Sequence, residues 1–165
     1  MLVGFASCGA QTSSEVGPVS TLEVVSDDTT EAGVLPLSLV EVARLEQPVD
    51  AASRFSDPAV YFVARGGTVH RFVDAVLDSE PVLDISDLSE GQGERGLLGL
   101  AFSRDGSTAF INYTNLDGDT TVASLSVGTT GKFARKSLKT ILVIDQPYAN
   151  HTAGDIVVES SGMIL

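Results

Sequence analysis

From Ala59 onward, short apolar runs alternate with turns built from small residues. Ala59-Val-Tyr-Phe-Val-Ala-Arg65 and Thr68-Val-His-Arg-Phe-Val73 flank Gly66-Gly67. Two glycines between apolar runs supply the positive φ that a tight turn demands, so a hairpin is predicted here. Pro81-Val-Leu-Asp-Ile85 reads as a third short strand. Leu97 to Phe102, the Asp105-Gly106 turn and Ala109-Phe-Ile-Asn-Tyr113 predict a second hairpin. After Asp117-Gly118, Thr120 to Val127 alternates with period two, the signature of a half-buried strand. Leu138 to Ile144 completes a four-strand meander, and a last hairpin is expected to begin at Asp155-Ile-Val-Val158. Upstream, the apolar and Val-rich Ser38-Leu-Val-Glu-Val-Ala-Arg-Leu45 suits a strand and marks the expected start of order.

No segment shows helical periodicity bounded by capping residues, so the chain is all-β. Short strands at regular spacing suggest a sandwich, a barrel or a propeller. Strands in groups of four, about 45 residues to a group, favour antiparallel propeller blades. Residues 38–165 would then hold about two blades.

Composition narrows the partners. The 165 residues carry a net charge of −12, which leaves no basic patch for nucleic acid. That charge is uneven: no Lys or Arg precedes Arg44, while Glu15, Glu23, Asp27, Asp28, Glu31 and Glu41 all do. Residues 9–37, rich in Ser, Thr, Gly and acid, read as a flexible acidic linker. The single cysteine, Cys8, excludes an intrachain disulfide. Phe5-Ala-Ser-Cys8-Gly is similar to the end of a bacterial lipoprotein signal, in which a small residue precedes an acylated cysteine. Residues 1–8 would then be a signal remnant, the protein exported to the periplasm or cell surface, and Cys8 a membrane tether. Two departures stand against this: the apolar run is only Met1 to Ala6, and no positive residue precedes it. The other reading of Cys8 is an inert thiol. No stretch approaches the ~18 apolar residues of a membrane-spanning helix.

Several motifs reduce to turns. Gly91-Gln-Gly93-Glu-Arg-Gly96 has dinucleotide-loop spacing, but Gly99 and the following hairpin turn leave no room for the helix such a site needs. Asn115-Leu-Asp117-Gly-Asp119 starts like a calcium loop yet lacks its later glycine and closing Glu, so a turn is expected and no metal ligands are assigned. His70, in a strand beside Arg71, reads as a surface histidine. His151 falls on a connecting loop, after Pro147-Tyr-Ala-Asn150 and before Thr152-Ala-Gly154. Loops held by a rigid scaffold often carry chemistry, and imidazole accepts protons near neutral pH, which makes His151 a candidate base. A structural or solvent-exposed histidine explains the same position.

Four blocks, in order, resemble the soluble quinoprotein glucose/sorbosone dehydrogenase family. They are Leu45-Glu-Gln-Pro-Val with the first hairpin, Glu94-Arg-Gly-Leu-Leu-Gly-Leu-Ala-Phe102, Asn112-Tyr-Thr-Asn-Leu-Asp-Gly-Asp-Thr120, and Asp145-Gln-Pro-Tyr-Ala-Asn-His151. The resemblance runs from about Leu45 to Leu165 and implies a six-bladed β-propeller that binds pyrroloquinoline quinone (PQQ) and calcium. It implies oxidation of a sugar or polyol hydroxyl, with His151 as the general base. Glu94 matches a position where the family places a polar residue near the cofactor, and it is equally an ordinary loop carboxylate. Calcium ligands and cofactor-clamping arginines would come from later blades. Thr152, Ala153, Gly154 and Asp155 depart from the family's glycine-rich run after the histidine, which implies drift or altered activity.

On this reading the chain is the N-terminal portion of an exported dehydrogenase, inactive and poorly stable in isolation because unclosed blades leave open edges. The alternatives are a non-catalytic propeller that serves as a cell-surface binding module, and a small β-sandwich lipoprotein.

Overall fold

The computed structural model describes residues 40–152 and 154–165. Contacts divide the chain into Met1–Val42 and Ala43–Leu165, and the architecture that follows is that of the second unit. Of the strand expected over Ser38 to Leu45, the described part, Val40 to Leu45, carries no regular structure, and Val40 and Val42 are exposed. Valine content alone does not make a strand where no partner strand offers its backbone groups.

The first sheet contains β1 (Pro48–Ser53), β2 (Val60–Ala64), β3 (Thr68–Val73), β4 (Val76–Leu77) and β5 (Leu83–Asp84). Its order is β1-β2-β3, with β4 and β5 both paired to β3. The second sheet is the expected meander of β6 (Leu97–Phe102), β7 (Thr108–Thr114), β8 (Thr120–Ser126) and β9 (Lys139–Ile144). All pairs are antiparallel. β1 was not visible in the sequence pattern, and the predicted Pro81–Ile85 strand contracts to Leu83–Asp84. Among the described residues one 3-10 turn, Arg135–Ser137, precedes β9.

The turns form for the reasons their residues suggest. Gly67 has φ +106°, and its amide donates to the Ala64 carbonyl at 3.0 Å to close the β2–β3 hairpin. In the β6–β7 turn the Asp105 carboxylate accepts hydrogen bonds from Ser103 Oγ, the Ser107 amide and Ser107 Oγ. These three donors hold its carboxyl at about 2. In the β7–β8 turn Asn115 Oδ1 accepts the amides of Asp117 and Asp119 at 3.0 and 2.9 Å. The calcium-like spacing is therefore a hairpin turn. No helix follows Gly96, so the glycine triplet is a turn as well. The last hairpin closes through a Val158–Ile164 bridge, with Gly162 at φ +86°.

The two sheets pack face to face. Tyr61, Val63, Val69 and Ile85 from the first sheet meet Leu97, Ile111, Ala123 and Leu125 from the second, all nearly or fully buried. Each buried side chain of Val, Leu or Ile size contributes about 1.5–3 kcal/mol relative to exposure. Tyr61, Phe102 and Phe133 form an aromatic corner, with ring centroids 4.9–6.0 Å apart. Backbone links cross the interface too: the Leu97 amide donates to the Arg65 carbonyl at 3.0 Å, and Phe133 N to Val82 O at 3.2 Å.

The far face of the second sheet mixes apolar and polar residues, with Asn112, Thr114, Thr120 and Ser124 among them. The register places Ala101, Phe110, Val122 and Leu142 on the side away from the core. Every residue of β9 is exposed, including Ile141, Leu142, Val143 and Ile144.

Candidate active site

Glu94 lies in the loop that leads into β6, and glycine geometry fixes that loop. Gly96 has φ +147°, and a Cβ there would overlap the Arg65 carbonyl. Only glycine lets the start of β6 lie against the end of β2. The same close packing recurs on the other side of β6. A Cβ on Gly99 would overlap the Gly154 carbonyl, and a Cβ on Gly154 would overlap Leu98. Glycines at 99 and 154 thus let the connector after β9 press directly onto β6.

This arrangement brings His151 and Glu94 together across 57 positions of sequence. The His151 amide donates to Glu94 Oε2 at 2.6 Å, and Thr152 Oγ1 donates to the Glu94 carbonyl at 3.1 Å. His151 sits at φ +61°, left-handed backbone that a side-chain-bearing residue adopts at a cost of about 1–2 kcal/mol. The residue is exposed, and no described group hydrogen-bonds its imidazole.

Beside this pair lies a cleft of about 440 Å³ lined by Val49, Asp50, Leu98, Thr152, Gly154 and Asp155. Strands β1 and β6 and the connector each contribute a wall. Asp50 Oδ1 accepts the Ala51 amide at 2.7 Å, and Asp50 Oδ2 accepts the Leu100 amide at 2.9 Å. A carboxylate from β1 thereby takes the place of a strand partner for β6. His151 itself is not on the cleft wall but one residue before Thr152, at its rim.

Other candidates fall elsewhere. His70 is half-buried on β3, its Nε2 3.2 Å from Thr68 Oγ1, away from the cleft residues in sequence and strand position. Cys8 lies outside the described residues. Among the described residues no three His, Cys, Asp or Glu side chains gather to hold a metal ion, and no helix is long and apolar enough to cross a membrane.

The sequence pattern missed two features. Asp50 was hidden because β1 was not recognised; a lone carboxylate between Val49 and Ala51-Ala52 was the available signal. The second is a charged cluster around Asp57. Its carboxylate accepts Tyr61 Oη at 2.7 Å and the Ala59 amide at 3.0 Å, and pairs with Arg54 at 3.4 Å and Arg71 at 3.5 Å. Burial works to raise the Asp57 carboxyl, but these donors and cations outweigh it and hold it below its ordinary value. Burial pushes the Tyr61 hydroxyl up, and its bond to Asp57 adds to the rise.

The sequence matches no family model and no curated protein. Solved structures do resemble the fold. An oxidoreductase (glucose dehydrogenase) from Thermus thermophilus is 23% identical with a TM-score of 0.59, covering 73% of this chain and 36% of its own. The soluble aldose sugar dehydrogenase of Escherichia coli, solved in the apo-form, is 20% identical with a TM-score of 0.56, covering 68% of this chain and 35% of its own. At these identities the likeness shows a shared all-β, antiparallel fold. The chain spans about a third of the length of these structures.

Proposed function

We propose that the two sheets are consecutive blades of a β-propeller, six-bladed as the family resemblance implies, and that the whole protein oxidises a sugar or polyol hydroxyl. The observation that carries this reading is the anchoring of His151 to Glu94 at the rim of the cleft, within a fold shared with sugar dehydrogenases. The propeller reading is favoured over a sandwich by burial on both faces of the second sheet: Ala123 and Leu125 are buried on the core side, and Asn112, Thr114 and Thr120 on the other, where a sandwich layer would meet water. Ile156, buried next to β6, begins to cover that face as the first strand of a further blade would.

Oxidation of a carbinol requires a base for the hydroxyl proton and an acceptor for two electrons. In this proposal His151 is the base: its ring is accessible and its backbone is held by a charge-assisted hydrogen bond. The cleft beside it offers the Thr152 hydroxyl and the Asp155 carboxylate to a polyhydroxylated substrate.

The electron acceptor proposed is PQQ, with calcium. The described residues do not themselves fit that pair. Asp50 and Asp155 bring negative charge to a cleft that would meet a polycarboxylate, and both Asp50 oxygens already accept backbone amides. No described cluster offers a calcium cage. The quinone therefore finds no seat among the described residues. On this reading its carboxylates and the metal would be held by other blades of the ring.

Export and lipid attachment at Cys8 complete the proposal, on the strength of Phe5-Ala-Ser-Cys8. The deciding experiment is dye reduction by the full-length protein with aldoses and polyols, with and without added PQQ and calcium. The expected result is sugar-dependent reduction that needs both additions and disappears in His151→Ala. Sugar binding without dye reduction would replace this reading with the binding module.

A further inference from the structure

We propose that Glu94 is a positioning residue: its carboxylate and main chain together hold the left-handed turn at His151 and so set the direction of the imidazole. The inference rests on the reading of His151 as the base, and it replaces a cofactor contact as the chief role of Glu94 Oε2.

Three observations converge on it. First, His151 occupies left-handed backbone at φ +61°, and such conformations persist only where the surroundings over-determine them. Reversing φ would swing the Cα–Cβ bond and aim the ring elsewhere. Second, Glu94 grips both sides of that residue. Oε2 accepts the His151 amide at 2.6 Å, and the Glu94 carbonyl accepts Thr152 Oγ1 at 3.1 Å. Third, Glu94 is itself fixed, because Gly96 two residues later is pinned under the Arg65 carbonyl and Leu97 donates to that same carbonyl. The chain of support therefore runs from the β2–β3 hairpin through Glu94 to His151.

The neighbouring residues supply no equivalent grip. Gly154 holds the connector by shape, through Leu98 and Gly99, but lies three residues past the histidine. Asp155 lines the cleft, and the Asp50 carboxylate is committed to Ala51 and Leu100. A glutamate suits the task because a carboxylate oxygen accepts an amide more strongly than a neutral acceptor does. Glutamine at position 94 keeps the reach and an acceptor oxygen but loses the charge. Alanine loses both.

The test reads the His151 amide first and activity second. Amide NMR of the 165-residue chain is recorded across the carboxylate titration range, with hydrogen exchange, for the native chain, Glu94→Gln, Glu94→Ala and Thr152→Val. The expected native amide is protected at least about tenfold over a coil amide, and its shift titrates with a carboxyl group. Glu94→Gln abolishes the titration and retains protection; Glu94→Ala abolishes the titration and most of the protection; Thr152→Val keeps the titration and loses part of the protection. A native His151 amide that exchanges at the coil rate while the β7 and β8 amides stay protected overturns the proposal. So does an amide titration that survives in Glu94→Ala.

In the full-length protein loaded with PQQ and calcium, Glu94→Ala is expected to lower kcat by about tenfold or more with KM little changed, and Glu94→Gln to recover most of it. A raised KM at constant kcat would instead make Glu94 a ligand contact and overturn the positioning role. If the native protein reduces no dye while the amide behaves as expected, the dehydrogenase reading fails and the Glu94 grip on the loop stands.

Discussion

The Tyr61 hydroxyl donates a 2.7 Å hydrogen bond to Asp57 Oδ2 beneath the face-to-face packing of the two sheets. Tyr61 is fully buried, and a Cβ on Gly131 would overlap its hydroxyl, so the phenol end is enclosed. Arg54 extends the cluster by donating from Nε to the Gly106 carbonyl at 2.6 Å, which ties the end of β1 to the β6–β7 turn. Tyr61→Phe is expected to destabilise the fold by about 1–3 kcal/mol, since the carboxylate loses its closest side-chain donor. Urea unfolding followed by circular dichroism gives the value. A change near zero would mean that the Ala59 amide and the two arginines are enough to satisfy Asp57.

The same pair sets an alkaline limit. The Tyr61 hydroxyl is raised above its ordinary value of 10.0 by burial and by Asp57. Its contribution to stability is thus complete below about pH 10 and is lost as pH climbs toward the folded-state value. Native protein should lose midpoint stability over that alkaline interval, and Tyr61→Phe should flatten the loss. Parallel curves for the two proteins would show that Tyr61 titrates alike in the folded and unfolded states, so that folding does not raise its value.

Acid acts through carboxylates. Asp105 is held at about 2 against an ordinary 3.8, and Asp57 is also lowered. Groups with depressed values stabilise the fold above the ordinary value and cease to do so as pH falls through the folded one. Stability should therefore drop between roughly pH 4 and pH 2. Asp105→Asn, at an exposed turn, should remove part of that slope while leaving the fold intact at neutral pH. Melting temperatures measured at closely spaced pH values resolve the difference.

Gly99→Ala places a methyl group where the Gly154 carbonyl lies. Backbone cannot yield as a flexible side chain does, so the connector must lift from β6. The expected cost is about 1–3 kcal/mol, with loss of exchange protection at His151 and little change in β7 and β8 amides. Uniform loss across all strands would show that the connector is not a separable element.

Burial contrasts across the second sheet give a further check. Leu125→Ala, in the core, should cost about 2–5 kcal/mol. Leu142→Lys, at a position 49% exposed, should cost little in the 165-residue chain. In the full-length protein, where the proposed ring would cover that face, Leu142→Lys should become strongly destabilising. Equal tolerance in both settings argues against a neighbouring blade.

Most strands were legible because each carries its own pattern: β2, β3 and β6 to β9 alternate or run apolar between glycine-bearing turns. β1 was not, because Pro48-Val-Asp-Ala-Ala-Ser53 has neither strong β-formers nor clean alternation. It is a strand because β2 pairs with it and because Asp50 reaches the Leu100 amide. Val40 to Leu45 showed the reverse, a local preference for a strand that does not form there. The site was half legible. His151 was singled out by its loop position as well as by family resemblance, and Glu94 by resemblance, yet nothing local shows that one grips the other, since the contact depends on how Gly96, Gly99 and Gly154 let three backbone segments approach. The Asp57 cluster was missed for a similar reason: Asp57, Tyr61 and Arg71 are ordinary singly and acquire meaning only when β2 and β3 align them.

The open margin of β9 has a practical side. Ile-Leu-Val-Ile, uncharged and free of proline, is the kind of short segment that stacks on copies of itself into fibrils when left bare. Lys139 and Asp145 flank it, but no charge interrupts the strip itself. Purification at high concentration will therefore select for material in which something already shields that strip, and a charged residue at Val143 is the natural solubilising change.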